Sequence, residues 1–219
     1  MRILLFGASG MVGQGVLREC LLDAGVTEVT SVVRKPMEEP NAKLREIVHE
    51  NLFDLSAIQG ELAGFDACFF CVGVSSVGMK EDEYRRLTYE MTMAVARTLV
   101  TLNPQMTFVY VSGAGTDSTE HGKTMWARVK GRTENELLRL PFKAAYMFRP
   151  GAIEPMDGIR SKTKIYNLLY QFIRPFVPMF RGRFPKYLTT TRQVGQAMLH
   201  VAKVGFARPV LESEDINRV

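Results

Sequence analysis

Short apolar runs alternate with longer stretches of helical periodicity through most of the chain. Runs at residues 3–6, 28–33, 44–48, 67–72, 107–111 and 144–148 predict strands. Stretches at 11–23, 55–62, 83–102, 126–140 and 192–204 predict helices. Alternation at this spacing predicts an α/β fold, a doubly wound parallel sheet that takes its ligand at the carboxyl ends of the strands. After Phe148 the rhythm changes: RPGAIEP and a stretch rich in Phe, Tyr and Pro replace the strands. Residues 151–191 are too few for a separate core. They are expected to cap the substrate side of a single domain spanning 1–219.

The junction between the first strand and first helix carries Gly7, Gly10 and Gly13, in RILLFGASGMVGQGVL. A turn this tight needs glycine where φ is positive or where a side chain would block a ligand. The N–H groups that open a helix suit a pyrophosphate, and strand–turn–helix is the context the dinucleotide fingerprint demands. The plainer alternative is a glycine turn with no ligand. About twenty residues on, the second strand ends in SVVRKP, with Arg34, then Lys35, and no acid until Glu38. An acid there would bond the ribose 2′-hydroxyl of NAD, whereas an arginine accommodates the 2′-phosphate of NADP. NADP(H) is the expected cofactor; a surface arginine in a loop is the alternative. Asp54, after the third strand, caps the next helix or meets the adenine amine.

Composition narrows the ligand class. The chain has 219 residues, 46% apolar and 23% charged, with a net charge of +5. No block of five or more like charges occurs, which favours a small anionic ligand over nucleic acid; an ordinary solvated surface fits equally well. No charged leader precedes the first strand, and three cysteines suit a reducing compartment, so the expected location is the cytoplasm. The apolar stretch IYNLLYQFIRPFVPMF is broken by Arg174, Pro175 and Pro178 and is too short to span a membrane. Cys68 and Cys71 have CxxC spacing, but in DACFFCVG they lie in a strand pattern whose odd offset turns them to opposite faces. That favours packing over a redox pair.

Reacting groups are expected at the strand ends. Ser112 closes the fifth strand in FVYVSGAGTD, and the helical stretch MWARVKGRTENELL carries Lys130 with Trp126 one turn earlier on the same face.

Taken in order, FGASGMVG, CVGVSS, VSGAG, KGRTENEL and FRPGAIEP resemble the atypical, extended, epimerase-like short-chain dehydrogenase/reductases, in the branch that includes the Tat-interactive protein. The resemblance covers most of the chain. It implies that Gly7, Ser9, Gly10, Met11, Val12 and Gly13 hold the pyrophosphate. Arg34 would meet the 2′-phosphate, and Asp54 and Leu55 the adenine. Cys71, Val72 and Gly73 would pass beneath the adenosine ribose, and Pro150 and Gly151 would lie near the nicotinamide. Lys130 would bind the nicotinamide ribose hydroxyls and lower the pKa of the catalytic acid, while Ser112 would orient a substrate carbonyl or hydroxyl.

The family's YxxxK motif is altered. Trp126 stands where the tyrosine belongs, and an indole offers a donor without useful acidity. Tyr84, Tyr89, His121 and Lys123 lie in segments with some reach to the cleft, though each fits a surface or packing role better. Two readings of function follow: a reductase moving hydride between NADPH and a small carbonyl or hydroxyl compound, or an NADPH-binding sensor acting through a protein partner. Sugar-nucleotide epimerisation fits less well, because the substrate side is short and the tyrosine is missing. Residues 165–187 are a pocket cap or a partner surface, and the sequence leaves open whether two chains pair as a homodimer through the helix at 83–102.

Overall fold

In the computed structural model, described over residues 1–37, 40–159 and 187–219, seven parallel strands form one sheet with helices on both faces. Strand β1 (Arg2–Phe6) leads through α1 (Met11–Leu22) to β2 (Glu28–Val33) and then β3 (Leu44–Val48). A 3₁₀ turn at Ser56–Glu61 precedes β4 (Ala67–Phe70). One long helical stretch follows, made of α2 (Glu81–Arg85), a π-helical turn (Arg86–Glu90) and α3 (Met91–Leu102). Then come β5 (Thr107–Val111), α4 (Met125–Arg139), β6 (Ala144–Arg149) and β7 (Ala152–Glu154). Beyond the undescribed segment lie β8 (Leu188–Thr190), α5 (Thr191–Lys203), β9 (Val210–Glu212) and α6 (Ser213–Arg218). The sheet order is β3-β2-β1-β4-β5-β6-β9, and β7 and β8 form a separate parallel pair.

The pleat explains why the inner strands are apolar on both faces. Ile3 and Leu5 of β1 enter the core shared with α1 and α5, while Leu4 and Phe6 enter the core shared with α3. All four are fully buried, and each such side chain contributes about 1.5–3 kcal/mol on leaving water. On the α3 face Phe6, Phe70, Phe108 and Phe142 form a chain of ring contacts 5.0–6.1 Å apart. Cys68 belongs to this face and Cys71 packs on the other, as their odd spacing requires.

Several boundaries differ from the sequence expectation. Strand β4 stops at Phe70, two residues early: Cys71 N–H makes a last bond to Phe6 O at 2.9 Å, and the backbone of Cys71 and Val72 then packs against Gly7. The helix expected at 55–62 is a 3₁₀ turn. The helix expected to begin at 83 begins at Glu81, where three consecutive acids complement the positive end of the helix dipole. The expected loss of strands after Phe148 is corrected: β7, β8 and β9 lie there, each too short at three residues for periodicity to reveal. Most of the cap expected at 151–191, and of the 165–187 stretch, lies outside the described residues.

Candidate functional site

The glycine turn is built by close packing. Gly7 has φ +85°, and a Cβ on it would lie 2.7 Å from the Cys71 carbonyl carbon. A Cβ on Gly13 would lie 2.0 Å from Gly7 O, so α1 is seated directly on the end of β1. Gly10 is different. It is the N-cap of α1 in extended conformation, its N–H bonds Gly7 O at 3.0 Å, and a Cβ there would meet nothing nearer than Gly7 O at 3.3 Å. Among the described residues no side chain caps α1, and no acid stands in its first turn, so the helix presents uncompensated N–H groups. These features fit a pyrophosphate.

Two cavities flank this turn. The outer one, about 910 Å³, is lined by Ser9, Gln14, Arg34, Lys35, Pro36, Met37 and Glu50. Arg34 and Lys35 are exposed and form no ion pair among the described residues. Their loop is held from below, where both carboxylate oxygens of Glu46 accept from Met37 N–H at 3.2 Å. Gln14 Nε2 donates to Ser9 O at 3.2 Å, fixing the rim between loop and helix.

The inner cavity, about 460 Å³, opens at the carboxyl ends of β4, β5 and β6. Its walls include Gly10, Met11, Val12, Cys71, Val72, Gly73, Ser112, Lys130, Pro150, Gly151 and Ile153. Lys130 Nζ donates to the main-chain oxygen of Ser112. Burial lowers its ammonium to about 8, against an opposing pull from the Glu134 carboxylate one turn on. The Ser112 hydroxyl donates to Glu134 Oε1 at 2.5 Å and lies 3.1 Å from Phe148 O. Glu134 is 1% exposed and forms a two-pronged pair with Arg149, whose Nε stands 3.0 and 3.1 Å from its oxygens. Arg149 Nη2 also donates to Ser118 Oγ at 2.6 Å.

The fold therefore gathers most of the residues singled out in the sequence around one groove, with Gly7 and Gly13 supporting it from behind. Asp54, Leu55 and Trp126 do not line either cavity. Asp54 is exposed, and its carboxylate, held below its usual range by the Ser56 N–H and hydroxyl, accepts from that N–H at 2.9 Å. Leu55 is buried in the core. Trp126 is half-buried, with its ring against Gly115.

Nor do Tyr84, Tyr89, His121 or Lys123 reach the cavities. Tyr84 is buried, and Tyr89 lies under the Arg132 guanidinium at 4.6 Å. The sequence reading missed Glu134 and Arg149. Glu134 is four residues after Lys130 and so shares its helix face, a signal available beforehand.

Comparison with known proteins identifies the family and the fold. A family model described as NAD(P)H-binding matches residues 7–140, from the glycine turn to the end of α4. Leucinostatins biosynthesis cluster protein T of Purpureocillium lilacinum is 28% identical over 74% of the chain, a match spanning only 61% of that protein. The mitochondrial protein FMP52 of Eremothecium gossypii is 26% identical over 92% of the chain and 88% of its own length. Among solved structures, MoeE5 in complex with UDP-glucose and NAD superposes with TM-score 0.68 at 19% identity, over 96% of this chain and 74% of that one. A short-chain dehydrogenase/reductase family oxidoreductase from Burkholderia thailandensis gives 0.67 at 13% identity, over 98% and 92%. With a doubly wound Rossmann-like sheet, a tightly packed glycine turn between its first strand and helix, and a family match over more than half its length, the chain belongs to the NAD(P)H-binding family.

Proposed function

We propose that the protein is an NADP(H)-dependent oxidoreductase acting on a small carbonyl or hydroxyl compound. The observation that carries this reading is the pair of cavities meeting at the glycine turn, one edged by Arg34 and Lys35, the other walled by Lys130 and Pro150. The Arg34 fork, in no ion pair among the described residues, matches a phosphate bidentately, and the Lys35 ammonium adds a second charge. The open N–H groups of α1 receive the pyrophosphate between the two cavities. Lys130 would hold the nicotinamide ribose hydroxyls, and Val72, Gly73, Pro150 and Gly151 wall the same cavity. When bound, the cofactor supplies a hydride to a carbonyl carbon; the chain's own residues hold the substrate and supply the matching proton.

Titration calorimetry tests the cofactor assignment. NADPH binds more tightly than NADH, and Arg34→Ala removes most of the difference, about ten- to a hundredfold for a charge-assisted phosphate contact of roughly 1.5–3 kcal/mol. Equal affinities for the two cofactors in the unaltered protein defeat it.

One observation favours a second reading, a catalytically weak NADPH-binding sensor that acts through a protein partner. Trp126 offers no acid, and the Ser112 hydroxyl is turned into the buried Glu134–Arg149 pair. NADPH binding without turnover against any carbonyl compound, in this protein and in Trp126→Tyr alike, selects that reading.

A further inference from the structure

Among the described residues, three side chains with exchangeable protons line the inner cavity: Cys71, Ser112 and Lys130. Burial pushes the Cys71 thiol up to about 12, which makes it a poor acid at neutral pH. The single hydrogen of the Ser112 hydroxyl is committed to Glu134 Oε1 at 2.5 Å. That contact is rigid, because Glu134 is almost fully buried and Arg149 grips its carboxylate through Nε and Nη2. Arg149 is in turn tethered to Ser118 Oγ, with Glu212 3.5 Å away. Lys130 is placed differently. One of its three hydrogens goes to the Ser112 main-chain oxygen, and two remain on the cavity side.

We propose that Glu134, clamped by Arg149, is a positioning residue for proton transfer: it withdraws the Ser112 hydroxyl from the cleft and leaves the Lys130 ammonium to protonate the substrate oxygen. The inference rests on the oxidoreductase reading and names the acid that Trp126 does not provide. The balance is simple. Hydride from NADPH forms the new C–H bond, and the carbonyl π bond breaks. A Lys130 N–H breaks as the O–H forms, giving an alcohol and NADP⁺, and the neutral amine regains its proton from water.

The groups facing Lys130 are Glu134 on its own helix, Ser112 from the end of β5, Cys71 from the end of β4 and, behind Glu134, Arg149 from β6. Burial, opposed by Glu134, puts the ammonium near 8, where a proton is both present and transferable at neutral pH.

The test begins without cofactor. In the full chain labelled at lysine Cε, the resonance missing from Lys130→Met titrates by NMR with a midpoint near 8. In Glu134→Gln it titrates lower, since the charge favouring the ammonium is gone. An ordinary lysine midpoint near 10.4, or one that Glu134→Gln leaves unmoved, overturns the proposal. Should Glu134→Gln fail to fold, the unaltered protein still decides: its midpoint stands, and a slowly exchanging hydroxyl proton, absent from Ser112→Ala, reports the Glu134 contact.

A second arm follows NADPH consumption against a panel of small aldehydes and ketones. The rate falls as pH rises through about 8, and Lys130→Met loses about a hundredfold or more. Lys130→Met turnover close to that of the unaltered protein overturns the proposal and leaves the oxidoreductase reading in place. An unaltered protein that binds NADPH but reduces no member of the panel overturns the reading itself, whatever the lysine titration gives.

Discussion

Gly13 and Gly10 are three residues apart in one turn, yet the structure assigns them opposite kinds of sensitivity. A Cβ on Gly13 would sit 2.0 Å from Gly7 O, 2.6 Å from Gly7 C and 2.9 Å from Ala8 Cα, all backbone atoms with no rotamer to yield. Ordinary contact begins near 3.4 Å, so α1 must lift from β1 by about 1.4 Å to admit Gly13→Ala. Alanine gains up to about 1 kcal/mol of helix propensity, less at the first turn than inside. Overpacking against backbone costs about 1–3 kcal/mol and sometimes more. The clash wins.

At about 2–4 °C per kcal/mol for a chain of this size, the melting temperature falls by roughly 2–12 °C. NADPH affinity falls with it, because the displaced helix carries the N–H groups. Gly10→Ala should behave in reverse. Gly10 has φ −82° and ψ 163°, which any residue adopts, and its Cβ has only Gly7 O at 3.3 Å to meet. Glycine caps better than alanine, so the exchange costs about 1 kcal/mol, with no backbone clash to add. The new methyl stands at the inner cavity, where the proposed pyrophosphate would approach, so NADPH affinity should drop about tenfold or more. Thermal unfolding followed by circular dichroism, paired with calorimetric NADPH titration, separates the two. A Gly13→Ala protein as stable as its parent, or a Gly10→Ala protein that binds NADPH undiminished, would refute the packing and phosphate roles respectively.

Other consequences are checked independently. Trp126 lines neither cavity, so Trp126→Tyr alone leaves NADPH oxidation against a carbonyl panel unchanged; a clear gain would show that position 126 reaches the reacting atoms. Lys130 is held below its unfolded value, so the unfolded chain binds the extra proton between about 8 and the ordinary lysine range. Stability from this group therefore rises with pH across that window, and urea midpoints of the unaltered protein should rise relative to Lys130→Met between pH 8 and 10. Cys20 and Cys68 are buried with thiols raised by burial, and all three cysteines are free. Thiol reagents should leave the native protein untouched at pH 7 and titrate three groups once it is unfolded; fast reaction in the native state would revive a redox role for the CxxC pair.

The sequence disclosed what is local and repetitive. Buried parallel strands are apolar on both faces, so β1, β2 and β5 stand out as runs, and the glycine turn stands out because only a missing side chain permits its contacts. Arg34 draws notice by its distance from that turn, and it lines the outer cavity. Three-residue strands escaped, since β9 is recognisable only by the partner it finds in β6. The orientation of Ser112 escaped for a related reason.

A serine at a strand end points into the cleft or into the fold depending on which acceptor lies behind it. Here that acceptor is Glu134, twenty-two residues away on α4. An unpaired carboxylate could not be buried there, because desolvation disfavours it by several kcal/mol. It is tolerable because β6 brings Arg149 alongside, and Arg149 precedes Pro150 and Gly151 at the cavity wall. Glu134, Arg149 and Ser112 are thus a single electrostatic unit spread over three elements, and none of the three carries its role in its own neighbourhood. Cofactor binding uses backbone shape, which a short motif encodes. Proton delivery, as proposed, would use a side-chain network, which only the assembled sheet creates. That is why the glycines announce the first, while the second turns on what Glu134 does to Ser112 and Lys130.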